Sequence, residues 1–184
     1  MPLQGISRER CLSLSTLCKR RMLKYLYHKE LFAEIPKEIT LGISISGCHI
    51  HCPGCHSRDL WANSGHDLTN EVVDELLEKH NGITCLLLLG GEHDIDGLIS
   101  ILRNVRGRVK TAWYCGLDEI PEDKREILES LNYVKIGHYD AALGGLSSPT
   151  TNQRFYEYNP AWGGTIEGLG ESWKDITHCF HTKC

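Results

Sequence analysis

Glu38–His56 reads EITLGISISGCHIHCPGCH, and this stretch decides both the fold and the chemistry of the chain. Its first half alternates apolar and polar side chains, which predicts a β-strand over residues 38–46. Its second half is a loop that carries three cysteines, Cys48, Cys52 and Cys55, in a C-x3-C-x2-C pattern. Because the loop follows the strand directly, the cysteines are expected at the C-terminal edge of the sheet that this strand joins.

Strand and helix patterns alternate after this loop at a spacing of about 25 residues, which is typical of a parallel α/β sheet. The first strand has Ile39, Leu41, Ile43 and Ile45 on its apolar face, whereas 84–89 is apolar on both faces and predicts helices on both sides. The predicted elements are a strand over 38–46, a helix from the N-cap Thr69 through His80, a strand over 84–89, a helix over 94–105, a strand over 109–114, a helix over 121–131 and a strand over 133–137. Functional groups of such folds collect at the C-terminal strand ends.

Three thiolates are one short of the set that closes a structural zinc site or an iron–sulfur cluster. Zinc would need a fourth ligand, and the loop offers three histidines: His49, His51 and His56. The close spacing of the cysteines favours a cluster over zinc, because structural zinc ligand pairs are usually separated by a longer stretch. A cluster held by three cysteines keeps one iron open for another ligand.

The composition restricts the class of protein. A chain of 184 residues with 41% hydrophobic residues is of a size for one globular domain. The net charge of −4 argues against nucleic-acid or anionic-membrane partners. Nine cysteines in no disulfide pattern predict reduced thiols in the cytoplasm. Residues 1–21 are expected to be a disordered N-terminal extension, with Met22 as the functional start.

The cysteine spacing, followed after the second strand by Gly90-Gly91-Glu92, resembles the radical S-adenosylmethionine (SAM) superfamily. More narrowly, the chain is similar to the activating proteins of anaerobic ribonucleoside-triphosphate reductase over approximately residues 22–154. The residues that carry this closer resemblance are Ile45-Ser46-Gly47-Cys48, Cys52-Pro53-Gly54-Cys55-His56, Trp61, Gly90-Gly91-Glu92, Trp113-Tyr114-Cys115-Gly116 and Thr151-Asn152-Gln153-Arg154.

This resemblance implies an α/β fold, an incomplete parallel (β/α) barrel. We expect a single domain over 22–184, whose loop-rich C-terminal tail lies beyond the residues that carry the resemblance. It implies an oxidoreductase that cleaves SAM reductively and abstracts hydrogen from a glycine of the reductase, which leaves a glycyl radical. The implied cofactors are one three-cysteine-ligated 4Fe-4S cluster and SAM. The implied partners are the anaerobic reductase and an electron donor of the flavodoxin or ferredoxin type.

The resemblance also implies roles for individual residues. Cys48, Cys52 and Cys55 would bind three irons and thereby serve catalysis. The SAM contacts would come from Gly54, Cys55, His56, Gly90, Gly91 and Glu92. The superfamily usually places an aromatic residue before the third cysteine, but Gly54 stands there, so His56 is the candidate for adenine stacking.

Several alternatives remain open at this stage. Another glycyl-radical enzyme of the formate-lyase type could be the substrate, or the chain could be a non-enzymatic zinc or iron–sulfur module. The Gly-Gly-Glu turn could serve only the strand-to-helix connection. Trp113, Tyr114 and Gly116, at one strand end, could line the cofactor site or pack in the core. Lys135 and His138, at the next strand end, could make polar contacts in the site or be solvated. His178, Cys179, His181 and Cys184 are expected to form a flexible tail rather than a second metal site.

Overall fold

The structure is a computed structural model, and it describes residues 22–181 of the chain. The described residues contain ten β-strands and two α-helices, with several 3-10 helices between them. The elements are β1 (Lys24–Leu31), β2 (Thr40–Ile45), β3 (His66–Asp67), α1 (Asn70–Lys79), β4 (Cys85–Leu89), α2 (Ile95–Val105), β5 (Lys110–Tyr114), β6 (Tyr133–Ile136), β7 (Arg154–Tyr158), β8 (Thr165–Ile166), β9 (Gly170–Glu171) and β10 (Trp173–Asp175).

Eight strands form one mixed sheet in the order β10-β7-β6-β5-β4-β2-β1-β3. The four central strands β2, β4, β5 and β6 are parallel to one another, as the alternation of strands and helices predicted. The flanking pairs β1–β2, β1–β3, β6–β7 and β7–β10 are antiparallel, and the sequence patterns did not predict them. The assignment to an incomplete barrel of the radical SAM type stays a prediction.

Strand β2 is buried along its whole length. Leu41, Ile43 and Ile45 face the main core as predicted, but Ile39 precedes the strand and is 43% exposed. The opposite, more polar face is covered as well, because a Cβ atom at Gly42 would collide with the Leu31 side chain from β1. The antiparallel neighbour therefore changes the environment that the period-two pattern suggested.

The two α-helices begin where the sequence predicted. The Thr69 side chain accepts a hydrogen bond from the Val72 N–H at the start of α1, and Asp94 accepts one from the Gly97 N–H at the start of α2. Both are N-caps of the ordinary kind. The third predicted helix is wrong in type, because Glu122–Ser130 is a 3-10 helix. Its buried apolar side chains lie only in its second half, which gives no continuous α-helical stripe.

Among residues 22–181, α-helices cover only one face of the parallel strands, which corrects the expectation of helices on both. Side chains of α1, α2 and the 3-10 helix pack with the β2, β4 and β5 residues of the main core. The other face carries Cys85 and Leu87, which pack against Ile35, Phe155 and Ile176 from non-helical segments and β7. Cys85 is fully buried, as predicted from its position in the strand.

The C-terminal third contains more structure than its loop-rich pattern suggested. Strand β7 pairs with β6, and Thr177–Phe180 forms a 3-10 helix that packs on it. The Thr177 hydroxyl accepts a hydrogen bond from the Phe155 N–H at 2.8 Å, so the expectation of a flexible tail was wrong for this segment. The N-terminal extension over 1–21 and Cys184 lie outside the described residues. Within 22–181, no helix has the length and apolar character needed to cross a membrane.

A buried carboxylate ties together the N-terminal ends of the four parallel strands. Glu38 accepts hydrogen bonds from the Thr84 hydroxyl at 2.5 Å, the Lys110 ammonium at 2.5 Å and the Tyr133 hydroxyl at 3.0 Å. Burial raises the pKa of Glu38, but these hydrogen bonds outweigh it and leave that pKa below its ordinary value. The ionised carboxylate therefore stabilises the end of the sheet opposite the cysteines.

We expect Glu38→Gln to lower the free energy of unfolding by about 1–3 kcal/mol near neutral pH, because its three partners lose a charged acceptor that is itself buried. A lowered pKa means that the carboxylate stabilises the fold above its unfolded pKa and loses this effect as the pH falls through the folded pKa. The difference between wild type and variant should therefore shrink in acid. Urea unfolding monitored by circular dichroism measures this, with exposed Glu75→Gln as the control. A gap that widens in acid would contradict the assignment.

Candidate functional site

Four turns meet at the C-terminal edge of the parallel sheet, as predicted for the cysteine, Gly-Gly-Glu and Tyr-Cys-Gly segments. Neighbouring turns are joined by backbone hydrogen bonds. The Gly90 N–H donates to the Tyr114 carbonyl at 3.0 Å, and the Cys115 N–H donates to the Lys135 carbonyl at 2.8 Å. The first turn is the cysteine loop, residues 47–56, and the fourth begins at Gly137. Parallel strand pairing brings together chemistry that is far apart in sequence.

The cysteine loop changes direction three times at left-handed backbone positions. Gly47 and Gly54 have φ angles of 85° and 77°, and His51 has a φ of 50°. A non-glycine residue in this region is unusual, so the loop geometry is held by its surroundings. The N–H groups of Gly47 and Cys48 both donate to the Leu60 carbonyl, at 2.8 Å and 3.0 Å. The loop is thus anchored where it leaves β2.

The three cysteines are free thiols, and each is half-buried. Burial leaves the pKa of the Cys48 thiol above its ordinary value, although the N–H groups of Ile50 and His51 bond to the sulfur and lower the pKa in part. The Ser57 N–H similarly donates to the Cys55 sulfur at 3.4 Å. Amide donors directed at sulfur favour the thiolate that a soft metal centre requires. The donor set therefore fits an iron–sulfur cluster.

Within residues 22–181, no group of three or more histidine, cysteine or acidic side chains converges on one point as a single metal ion would need. A cubane cluster does not require such convergence, because each thiolate binds a different iron atom. Of the histidines offered as a fourth zinc ligand, His49 is exposed, and His51 stacks on Trp61 with ring centroids 4.4 Å apart. The third, His56, lies 5.5 Å from the Tyr139 ring.

The two glycines of the Gly-Gly-Glu turn have different roles. Both have left-handed backbones, with φ angles of 85° and 91°. A Cβ atom at Gly91 would lie 2.8 Å from Leu98 in the core, so this glycine serves the close packing of the strand-to-helix connection. A Cβ atom at Gly90 would instead lie 3.7 Å from a carboxylate oxygen of Glu92. Gly90 therefore faces the site, while Gly91 faces the core.

Glu92 is a buried carboxylate with only one of its oxygens paired. Its side chain is 8% exposed, and Oε1 accepts a hydrogen bond from the Gly116 N–H at 2.6 Å. The other oxygen, Oε2, is buried without a hydrogen-bond partner among the described residues. An ionised buried oxygen is costly to leave unpaired, so it indicates a place for a cationic or hydrogen-bonding ligand.

The aromatic residues at the end of β5 belong to the cores, whereas the glycine after them belongs to the site. Trp113 is fully buried, and its indole N–H donates to the Gly90 carbonyl at 2.9 Å, which fixes the neighbouring turn. Tyr114 points to the opposite core, where its hydroxyl donates to the Glu34 carbonyl. A Cβ atom at Gly116 would lie 2.5 Å from the Ile50 side chain of the cysteine loop.

Polar residues after β6 support the fourth turn. Asn152 and Gln153 donate to the carbonyls of His138 and Gly137, at 3.0 Å and 3.3 Å. Arg154 does not reach this turn, because it donates to the Thr151 and Gln153 carbonyls and lies near Asp175. The segment that resembles the activating proteins thus acts here through the backbone of the turn.

Two residues near this turn have positions that the sequence left open or did not predict. Lys135 is buried at the end of β6, although lysine in a short strand gives no sequence signal of burial. Tyr139 lies against His56, and the neighbouring Ala141 would contact a Cβ atom placed at Gly54 at 3.1 Å. The sequence pattern beyond residue 137 was too irregular to place Tyr139 beside the cysteine loop.

A cleft lies at the opposite edge of the sheet. It measures about 1350 Å³ and is lined by the N-terminal ends of strands together with the 165–170 segment. None of the predicted site residues lines it. The chemistry of this chain therefore lies at a shallower edge, where four turns present thiols and one unpaired carboxylate oxygen.

The half-buried thiols and their amide donors define an iron–sulfur protein. A family model described as a 4Fe-4S single cluster domain matches residues 39–155, which is well over half of the chain. The chain therefore belongs to the family of 4Fe-4S single cluster domains, and this favours a cluster over zinc. Searches of curated proteins and of solved structures found no match.

We expect Cys48→Ser, Cys52→Ser and Cys55→Ser each to lose most of the cluster, because the site forms only with its whole ligand set. Wild-type protein reconstituted without oxygen should bind about four iron atoms per chain. Iron and sulfide analysis and the visible absorption band measure this. The matched control is Cys179→Ala, outside the cysteine loop, which should keep the cluster. Full iron binding by any of the three loop variants would contradict the ligand assignment.

Proposed function

We propose that this protein is a radical SAM enzyme that activates anaerobic (class III) ribonucleoside-triphosphate reductase. The observation that carries the proposal is the unpaired oxygen of Glu92 at the same sheet edge as the three thiols. Three thiolates provide an incomplete ligand set for a 4Fe-4S cluster, and the buried oxygen provides an acceptor for the ammonium group of a small ligand. SAM carries such a group beside its sulfonium.

In this proposal Cys48, Cys52 and Cys55 hold three irons and keep the fourth open for the methionyl part of SAM. The cluster, once reduced by an external donor, would supply one electron for cleavage of the S–C5′ bond of SAM; methionine would leave, and the 5′-deoxyadenosyl group would take a hydrogen atom from a glycine of the reductase, which would leave a glycyl radical there. The protein residues bind and orient the reactants and restrict water, while the cofactors carry the electron chemistry.

The roles of the surrounding residues follow from their contacts. Glu92 uses Oε1 to fix itself to the Gly116 N–H and keeps Oε2 for the methionyl ammonium. Gly90 leaves the space beside that oxygen free of a side chain. His56, with Tyr139 next to it, offers aromatic rings for the adenine, since Gly54 offers none.

The fold and the partners are part of the same proposal. The parallel centre of the sheet is taken as an incomplete barrel of the radical SAM type, with the cysteine edge open to a macromolecule. Reduction of a sulfonium needs a low-potential electron, so a flavodoxin or ferredoxin is the proposed donor. The match of Asn152, Gln153 and Arg154 to the reductase activators favours the reductase over a formate-lyase type substrate.

The first test of this function is product formation. Reconstituted protein, reduced without oxygen in the presence of SAM, should release 5′-deoxyadenosine and methionine. Addition of a class III reductase should then give a glycyl-radical signal in electron paramagnetic resonance, whereas a formate lyase should give little. A protein with a full cluster that releases no 5′-deoxyadenosine would instead support an electron-transfer module.

We expect Glu92→Gln to keep its iron but to bind SAM about 10- to 100-fold more weakly, since a hydrogen bond to a charged group contributes about 1.5–3 kcal/mol. The glutamine oxygen can still accept from the Gly116 N–H, while the amide nitrogen replaces the unpaired acceptor with a donor. Equilibrium binding of SAM to the reconstituted variant measures the effect. Glu78→Gln, on the exposed side of α1, is the control and should bind as wild type does. Unchanged SAM affinity in Glu92→Gln would remove Glu92 from the site.

A further inference from the structure

Lys135 carries a buried positive charge directly behind the cysteine edge. Its side chain is 8% exposed, and its ammonium group donates to the carbonyls of Cys115 at 3.1 Å and Gly137 at 2.6 Å. Among residues 22–181 it is the only lysine or arginine that is buried. A buried ammonium group is costly unless hydrogen bonds and nearby opposite charges compensate for its lost hydration.

The peptide bond between Cys115 and Gly116 lies between two buried opposite charges. The Lys135 ammonium donates to the Cys115 carbonyl oxygen of this peptide at 3.1 Å, and the Gly116 N–H of the same peptide donates to Glu92 Oε1 at 2.6 Å. The two side chains are not within ion-pair distance of each other, so the peptide dipole links them. This arrangement fixes the turn after β5 and, through it, the orientation of the Glu92 carboxylate.

The groups that face Lys135 from the neighbouring turns are acidic. They are the Cys115 thiol and Asp118 after β5, Glu92 after β4, and the Cys52 thiol of the cysteine loop. Burial lowers the pKa of Lys135, and the nearby acidic groups offset this only in part, so that the pKa stays below its ordinary value. The Asp118 carboxylate also lies within hydrogen-bond distance, 2.7 Å, of the His138 ring. Lys135 is therefore placed to offset the negative charge of the Glu92 carboxylate and of the Cys52 thiolate in the loop.

We propose that Lys135 is a positioning residue that sets the reduction potential of the cluster by placing a fixed positive charge behind its ligands. Reduction adds one negative charge to a cluster already surrounded by thiolates, and net charge is one of the factors that set cluster potentials. A buried cation favours the reduced form. The inference depends on the cluster lying in the cysteine loop and does not depend on SAM binding.

The experiment compares three holoproteins in a redox titration followed by electron paramagnetic resonance, without SAM. Lys135→Gln keeps a donor for the two carbonyls but removes the charge, and Lys135→Arg keeps the charge. The glutamine variant should show an approximately tenfold lower ratio of reduced to oxidised cluster at a given potential, which is a shift of about 59 mV to more negative values. The arginine variant should titrate close to wild type.

The control is Lys174→Gln, an exposed position on β10 that loses the same charge far from the cysteine edge, and it should titrate as wild type does. A potential unchanged in Lys135→Gln would overturn the proposal, because a purely structural role leaves the potential alone when the hydrogen bonds are kept. If Lys135→Gln assembles no cluster, the iron contents of the glutamine and arginine variants are compared instead. Iron retained in Lys135→Arg supports the charge requirement, and iron lost in both variants overturns it. Because the titration contains no SAM, it tests the effect of Lys135 on the cluster potential even if the radical SAM proposal is wrong.

Discussion

The parallel pairing of β2, β4, β5 and β6 is the constraint on which the rest of the structure depends. Strands paired in the same direction end at one edge, so the turns after them must lie side by side. The chain places three thiols after β2, the Glu92 carboxylate after β4, the Gly116 N–H after β5 and Lys135 within β6. None of these groups is near another in sequence, and the sheet alone brings them together.

Two buried charged side chains at this edge, Glu92 and Lys135, differ in how far the protein satisfies their hydrogen bonds. Glu92 keeps one oxygen unpaired, whereas the Lys135 ammonium donates to two backbone carbonyls. The carboxylate is therefore available to a ligand, and the lysine charge is held in place by the fold. An edge that is negative at the thiols and positive behind them can hold a cluster whose charge changes by one electron. The opposite edge contains the contrasting case, because both carboxylate oxygens of Glu38 accept hydrogen bonds there, from Thr84, Lys110 and Tyr133.

The sequence contained enough information for the central strands, both α-helices and the cysteine and Gly-Gly-Glu turns, because these follow local periodicity and short motifs. It did not reveal β1, whose KYLYHKEL sequence is half polar and has no clean alternation. It did not distinguish a 3-10 from an α-helix at Glu122–Ser130, since both place apolar residues at similar spacing. Lys135 and the unpaired Glu92 oxygen depend on contacts between distant turns, and no local pattern encodes them.

The central claim is that one iron of the cluster is bound by SAM rather than by the polypeptide. Mössbauer spectroscopy of protein reconstituted with ⁵⁷Fe, recorded without and with SAM, tests it directly. If SAM binds to the open iron, one of the cluster's four iron sites should change its isomer shift and quadrupole splitting when SAM is added, while the three cysteine-bound sites stay the same. Four iron sites that are indifferent to SAM would contradict it and would leave an iron–sulfur protein of another kind.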